Sequence, residues 1–178
     1  VNASRRAKII TIEDPVEFTH HHRRSIITQI EVGTDTVSFA KCLRNVLRLD
    51  PDVICIGEMR DLDTTETALQ AADTGHLVFA TLHTPSAVAT VERIVGLFEG
   101  SRQRQIIMQL STTLQGVIAQ RLVPTVDKKS RVLATYEPSQ ESKNAAARKR
   151  LLVNISLNAN MRPLISSSIR CCSCDSER

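Results

Sequence analysis

Tryptophan is absent from the 178 residues, and the chain carries one tyrosine and four phenylalanines. So thin an aromatic content excludes the base-stacking platforms with which RRM and OB-type domains hold single strands. No apolar run approaches the ~18–20 residues of a membrane helix, and no signal-peptide pattern opens the chain. Glycine and proline number six each, too few for a collagen-like or low-complexity chain. None of Gly33, Gly57, Gly75, Gly96, Gly100 and Gly116 is followed by lysine. The Gly-Lys-Ser/Thr loop whose backbone amides cradle phosphates is therefore missing. The five cysteines show no disulfide spacing, which predicts a reducing, cytoplasmic setting.

Charge of one sign is lacking too, once the chain is divided. Residues 1–137 hold 16 basic and 16 acidic residues; residues 138–178 hold 7 and 3. The whole formal excess of +4 sits in the last stretch. The main body has no basic footprint for nucleic acid, so none is expected as a partner. Hydrophobic residues make up 42% and charged residues 24%, an ordinary globular balance. The length suits one domain with a real core.

Local patterns alternate between strand and helix. Ile9–Glu13 is a short β-branched run stopped by Asp14-Pro15, and 25–32 alternates weakly. From Asp35, read as an N-cap, Val37, Ala40, Leu43, Val46 and Leu47 fall at helical spacing, with Pro51 as the stop. Val53–Gly57 and Leu77–Leu82 are continuous apolar runs, hence buried strands. Between them Asp61 caps a helix that Gly75 ends. Thr84-Pro85 opens a helix with Val88, Val91, Ile94 and Val95 inward. Ser101 opens a longer one carrying Ile106, Ile107, Leu110, Leu114, Val117 and Ile118. Residues 131–137 form a last strand. The order predicts an α/β domain with a mostly parallel central sheet over 1–137. Residues 138–178, rich in Ser, Arg and Asn and containing Cys171, Cys172 and Cys174, read as a weakly structured basic tail with at most one helix, at Ala145–Val153.

In parallel α/β sheets, function gathers at the carboxyl ends of strands. Three predicted strands end there in polar groups. The first ends in Glu13-Asp14, with Glu17 following; the second runs through Ile54, Cys55, Ile56 and Gly57 to Glu58 and Arg60; the third ends at His83, with His76 before its start. A buried strand delivering a carboxylate at its tip suits work beside Mg²⁺ and an attacking water. Glu58 is the best single candidate, and Gly57 allows close backbone approach. Arg44 and Arg48 lie one helical turn apart. His20, His21 and His22 are consecutive and do not converge on one metal, so they read as a solvated loop.

The stretch LRLDPDVICIGEMRD, Leu47 to Asp61, resembles the signature of the motor ATPases of type II secretion and type IV pili. ITIEDPVEF, Ile10 to Phe18, resembles that family's Asp box, and GHLVFATLHT, Gly75 to Thr84, its His box. All three stand in the family's order, and the resemblance covers roughly residues 8–137. One departure is Cys55, where an aliphatic residue is usual. The resemblance implies the later part of a RecA-like P-loop NTPase domain, with ATP and Mg²⁺ as cofactors. It implies a Walker B segment from Ile54 to Glu58 whose glutamate orients or deprotonates water. It also implies an Asp-box acid at Glu13, with Asp14 and Glu17 beside it, and a His-box pair, His76 and His83. Mg²⁺ would be met through the Glu13 and Glu58 region rather than by a dedicated ligand set. Arg44, Arg48 and Arg60 are candidate contacts to nucleotide or a neighbouring subunit.

The family places its P-loop upstream of the Asp box, before Val1, so residues 1–178 alone are expected neither to bind nor to hydrolyse ATP, and to leave an open strand edge in the sheet. Secretion and extension ATPases carry a four-cysteine zinc insertion soon after the AQRLV-like segment; Pro124 to Ser130 has no cysteine. That, with Met59, favours the retraction branch, the PilT-like proteins. The resemblance thus implies a homo-hexamer that works on an inner-membrane pilus platform protein. It would be cytoplasmic and peripheral at that membrane, without inserting into it. The alternatives are a GspE/PilB-type secretion or pilus-assembly ATPase, and a non-catalytic assembly module without a P-loop. The tail lacks the family's usual motif and is expected to lie outside the domain.

Overall fold

The computed structural model describes residues 1–124, 131–136 and 150–156. The strands are β1 (Lys8–Glu13), β2 (Ile26–Glu31), β3 (Val53–Ile56), β4 (Leu77–Leu82), β5 (Leu114–Pro124), β6 (Arg131–Tyr136) and β7 (Arg150–Ser156). The helices are α1 (Phe39–Val46), α2 (Leu62–Asp73), α3 (Ala87–Gly96) and α4 (Ser101–Thr113), with a single 3₁₀ turn at Leu47–Leu49. The strands form one sheet in the order β2-β1-β3-β4-β7-β5-β6. Every pairing is parallel except β5 with β6. The predicted α/β architecture with a mostly parallel sheet is therefore observed.

Register divides the sheet into two faces. Ile10 pairs with Ile54 and Ile54 with Val78; Ile12 pairs with Ile56 and Ile56 with Ala80. These side chains share one face because residues two apart in a strand point the same way. They are buried with Leu43 and Val46 of α1, Ala68, Leu69 and Ala72 of α2, Ile94 of α3, and Ile106 and Leu110 of α4. The opposite face carries a smaller cluster, Ala7, Ile9 and Val53, with Ile27, Cys55, Leu77 and Phe79 partly buried against it. Among the described residues, no helix side chain joins that second cluster.

Several local expectations are corrected. Helix α1 is capped by Ser38, whose hydroxyl accepts from Lys41 N. Asp35 instead accepts from Glu31 N at 2.9 Å, tightening the turn after β2. Val37 lies ahead of the helix and is 75% exposed. Helix α3 is capped by Ser86, because Thr84 is drawn inward to bond Thr90 at 2.7 Å. Val88 and Ile107, expected inward, are exposed. Asp61 does cap α2, accepting from both the amide and hydroxyl of Thr64 at 2.7 Å. Helix α4 stops at Thr113 rather than running through Ile118; Leu114 is extended and begins β5. Leu114, Val117 and Ile118 fit either period, and pairing with β7 decides the outcome.

One element of the tail also differs from expectation. The predicted helix at Ala145–Val153 is a strand over Arg150–Val153, within β7; residues 145–149 lie outside the described residues. Strand β7 lies between β4 and β5 and pairs parallel with both, so β4 has no open edge. Leu-Leu-Val is too short for periodicity to separate helix from strand, and non-local pairing settles it. Residues 125–130 of the cysteine-free stretch from Pro124 to Ser130, the boundary at 137 and the three tail cysteines lie outside the described residues.

A strand paired on both sides is part of the cooperative unit. Deleting residues 150–178 should therefore lower the thermal midpoint by several degrees, and Leu152→Pro, which removes a ladder donor opposite Phe79 and Gly116, should do the same. Calorimetry of both variants checks this; an unchanged midpoint would place β7 outside the folded core.

Candidate functional site

Parallel pairing brings the carboxyl tips of β1, β3 and β4 to one end of the sheet. Gly57, just beyond β3, donates its amide to Ile12 O at 2.7 Å. A Cβ at Gly57 would stand 3.1 Å from Ile12 O and 3.3 Å from Glu13 Cα, so glycine permits this approach of two backbones. On the other side the Thr81 hydroxyl donates to Gly57 O, and Met59 N donates to Thr81 O at 3.1 Å. Backbone and side-chain bonds from both neighbours thus fix the segment that carries Glu58.

The Glu58 side chain is mostly buried, 19% exposed, while its partners reach into solvent. Its Oε2 lies 2.7 Å from Arg60 Nη2 and 3.6 Å from His83 Nε2. Arg60 is far more exposed than Glu58, so this ion pair is worth less in stability than in orientation. Glu13, the last residue of β1, is held separately. Its Oε1 accepts from the Thr11 hydroxyl at 2.6 Å and from Gln29 Nε2 at 3.0 Å. Glu13, Glu58 and His83 are therefore assembled at one end by three adjacent strands.

Other sequence candidates stand elsewhere. Asp14 and Glu17 lie exposed on the loop after β1. His76 precedes β4, at the opposite end of the sheet from His83, roughly 20 Å away at the usual strand rise. Its Nδ1 lies 3.0 Å from Ala71 O and 3.2 Å from the Thr74 hydroxyl, closing the end of α2. Arg44 and Arg48 are exposed near the end of α1 and on the 3₁₀ turn after it. That turn is tied to the start of β1 through Lys8 Nζ and Leu49 O at 2.5 Å, again away from Glu58. Within one chain, these three are not brought to the carboxylates. In the histidine run, His22 Nδ1 accepts from Ile27 N at 3.0 Å, and His20 packs its ring edge-on against Phe18.

Thr11, Gln29 and Thr81 do not stand out in the sequence. A partial signal exists for one of them: Thr11 stands two residues before Glu13, hence on the same face of β1. Gln29 becomes visible only with the register, which sets it opposite Thr11.

A family profile described as type II/IV secretion system protein matches residues 1–175. The chain belongs to that family. The match takes in both sides of residue 137, beyond the stretch that carries the three motifs. The chain is 47% identical over 126 residues to the type IV pilus retractation ATPase PilT of Pseudomonas aeruginosa, covering 71% of this chain and 37% of that protein. It is 49% identical over 137 residues to a twitching motility protein of Neisseria gonorrhoeae, covering 77% and 36%. A crystal structure of the pilus retraction motor PilT with bound ADP superposes with a TM-score of 0.74 at 53% identity, covering 83% of this chain and 42% of that one. The chain thus spans little more than a third of the curated relatives it matches, and its fold is that of the corresponding part of this secretion and pilus family.

Cys55 stands in β3 on the face that carries Ile9 and Val53, partly buried against them. Burial, with the Glu13 carboxylate adding to it, pushes its thiol up to about 12. A raised thiol pKa keeps the reactive thiolate scarce below it. At pH 8 the thiolate is therefore a small minority. Cys55 should therefore resist iodoacetamide at pH 8 while the protein is folded and react once it is unfolded. Peptide mass spectrometry reads this directly; rapid labelling in the native state would contradict the environment assigned to Cys55.

Proposed function

We propose that this chain forms the later part of the RecA-like domain of a motor that hydrolyses ATP with Mg²⁺. The observation that carries the reading is the convergence of Glu13, Glu58 and His83 on three adjacent parallel strand tips, in a chain of this family. Glu58 would act as general base for the attacking water, a role supported by the bracing of its strand tip from both neighbours. Glu13 assists from the next tip. His83, whose Nε2 lies 3.6 Å from Glu58 Oε2, would sense or orient the terminal phosphate region, and Arg60 would hold the glutamate from the solvent side.

The residues suit Mg²⁺ as nucleotide enzymes use it. That ion keeps several waters and takes one or two carboxylates together with substrate phosphates, rather than a closed protein cage. Two carboxylates on adjacent tips fit, and among the described residues no three-ligand cluster competes with them. Glu13 and Glu58 are the residues that would meet the ion, which supplies charge neutralisation of the phosphates when bound.

Pilus retraction, and with it twitching motility, is the work we assign to the intact motor. Support comes from the similarity to retraction and twitching proteins. Met59 and the absence of cysteine between Pro124 and Arg131 add to it. Secretion of the type II kind is the second reading, favoured by the breadth of the matching family. In either role the motor would act as a homo-hexamer on an inner-membrane platform protein, from the cytoplasmic side. Among the described residues no helix is long and apolar enough to cross a membrane. Arg44, Arg48 and His76, remote from Glu58 within one chain, are candidates for contacts made across a subunit boundary.

In the intact protein, Glu58→Gln keeps shape and removes basicity. It should retain nucleotide binding and lose about 10²–10⁴-fold in turnover. Steady-state ATPase assays beside nucleotide titration check it. Near wild-type turnover would overturn the assignment of Glu58.

A further inference from the structure

The Gln29 side chain makes a set of bonds that neither motif resemblance nor fold explains. Its Nε2 donates to Glu13 Oε1 at 3.0 Å and to Phe18 O at 2.9 Å, while its Oε1 accepts from His20 N at 2.7 Å. The orientation of the amide is dictated chemically, because a flipped amide would set its oxygen against a carboxylate and a carbonyl, both acceptors. Gln29 and Glu13 are each half-buried, where such bonds are stronger than in open water. One side chain therefore binds both the acid at the tip of β1 and the loop that follows it. The loop has a second tie, from Val16 N to Glu31 Oε2 at 2.9 Å.

The bonds on Glu13 are also selective. Thr11 and Gln29 both donate to Oε1. Among the described residues Oε2 takes no hydrogen bond. A carboxylate pinned by two donors on one oxygen keeps a single orientation and leaves the other oxygen for ligand. Without them its terminal torsion is broad.

We propose that Gln29 is the positioning residue of Glu13: it sets the orientation of that carboxylate for hydrolysis and couples it to the loop through Phe18 and His20. This rests on the reading of Glu13 as an assisting acid. Gln29 acts through Glu13 and does not touch the reacting atoms.

The test uses the intact protein, with kcat and KM for MgATP and amide hydrogen exchange at His20 as readouts. Gln29→Leu should lower kcat about 10–100-fold, as misplacement of a catalytic group does, while KM stays within about twofold. His20 should then exchange faster. Gln29→Glu is nearly isosteric and keeps an acceptor for His20, but it loses both donors and adds a second negative charge beside Glu13. It should leave His20 protected and still lower kcat at least as far as leucine does. Thr11→Val, which removes only the other donor, should lower kcat by a smaller factor. A purely structural role would instead lower the thermal midpoint and leave kcat of the folded enzyme alone. If Glu13→Gln is inactive while the folded Gln29 variants turn over within twofold of wild type, the positioning role is wrong. If Glu13→Gln turns over normally, the reading of Glu13 falls and this proposal with it.

Discussion

The close approach of β3 to β1 at their carboxyl ends is the constraint on which the site depends. Gly57 N reaches Ile12 O at 2.7 Å, and the absent side chain eases the approach, since a Cβ there would crowd Ile12 O and the Glu13 backbone. That contact sets the two acid-bearing tips side by side. The Thr81 hydroxyl on Gly57 O extends the same arrangement to β4, whose end carries His83. With these strands locked, the positions of Glu13, Glu58 and His83 follow from register rather than from long flexible loops. A site built on strands holds its groups more tightly than one built on loops.

The two faces of the sheet divide the labour. On one, isoleucines and valines from β1, β3 and β4 pack under four helices and supply the bulk of apolar burial. On the other, Thr11, Gln29 and Cys55 lie in one row across three strands, next to Glu13. Polar residues on that row would be a defect in a symmetric parallel sheet. Here Thr11 and Gln29 both donate to the acid, so neither is left unsatisfied. Cys55 is a small hydrophobe with a weak donor, tolerated beside a carboxylate because it stays protonated.

Much of this was legible in residues. The β-branched runs of β1, β3 and β4 marked buried strands, and the carboxylate or histidine closing each run marked the candidate site. Asp61 announced the start of α2 by its chemistry and its spacing. What was not legible depended on contacts distant in sequence. Leu114–Ile118 and Leu151–Val153 carry too few residues to fix a period, and each becomes a strand because the other is there to pair with. Ser38 and Ser86 displace Asp35 and Thr84 as caps because those two side chains are engaged elsewhere, with Glu31 N and Thr90. His76 and His83 look like a pair in sequence, yet six strand residues between them carry them to opposite ends of the sheet.

On the proposed reading, the carboxyl tips of β1 and β3 form the hydrolytic end of a nucleotide site. The most direct measurement is a structure of the intact protein with Mg²⁺ and a non-hydrolysable ATP analogue. The metal and terminal phosphate should lie over those tips, bordered by Glu13 and Glu58, with His83 alongside. A nucleotide whose terminal phosphate lies at the other end of the sheet, toward His76 and Arg48 of the same chain, would contradict it.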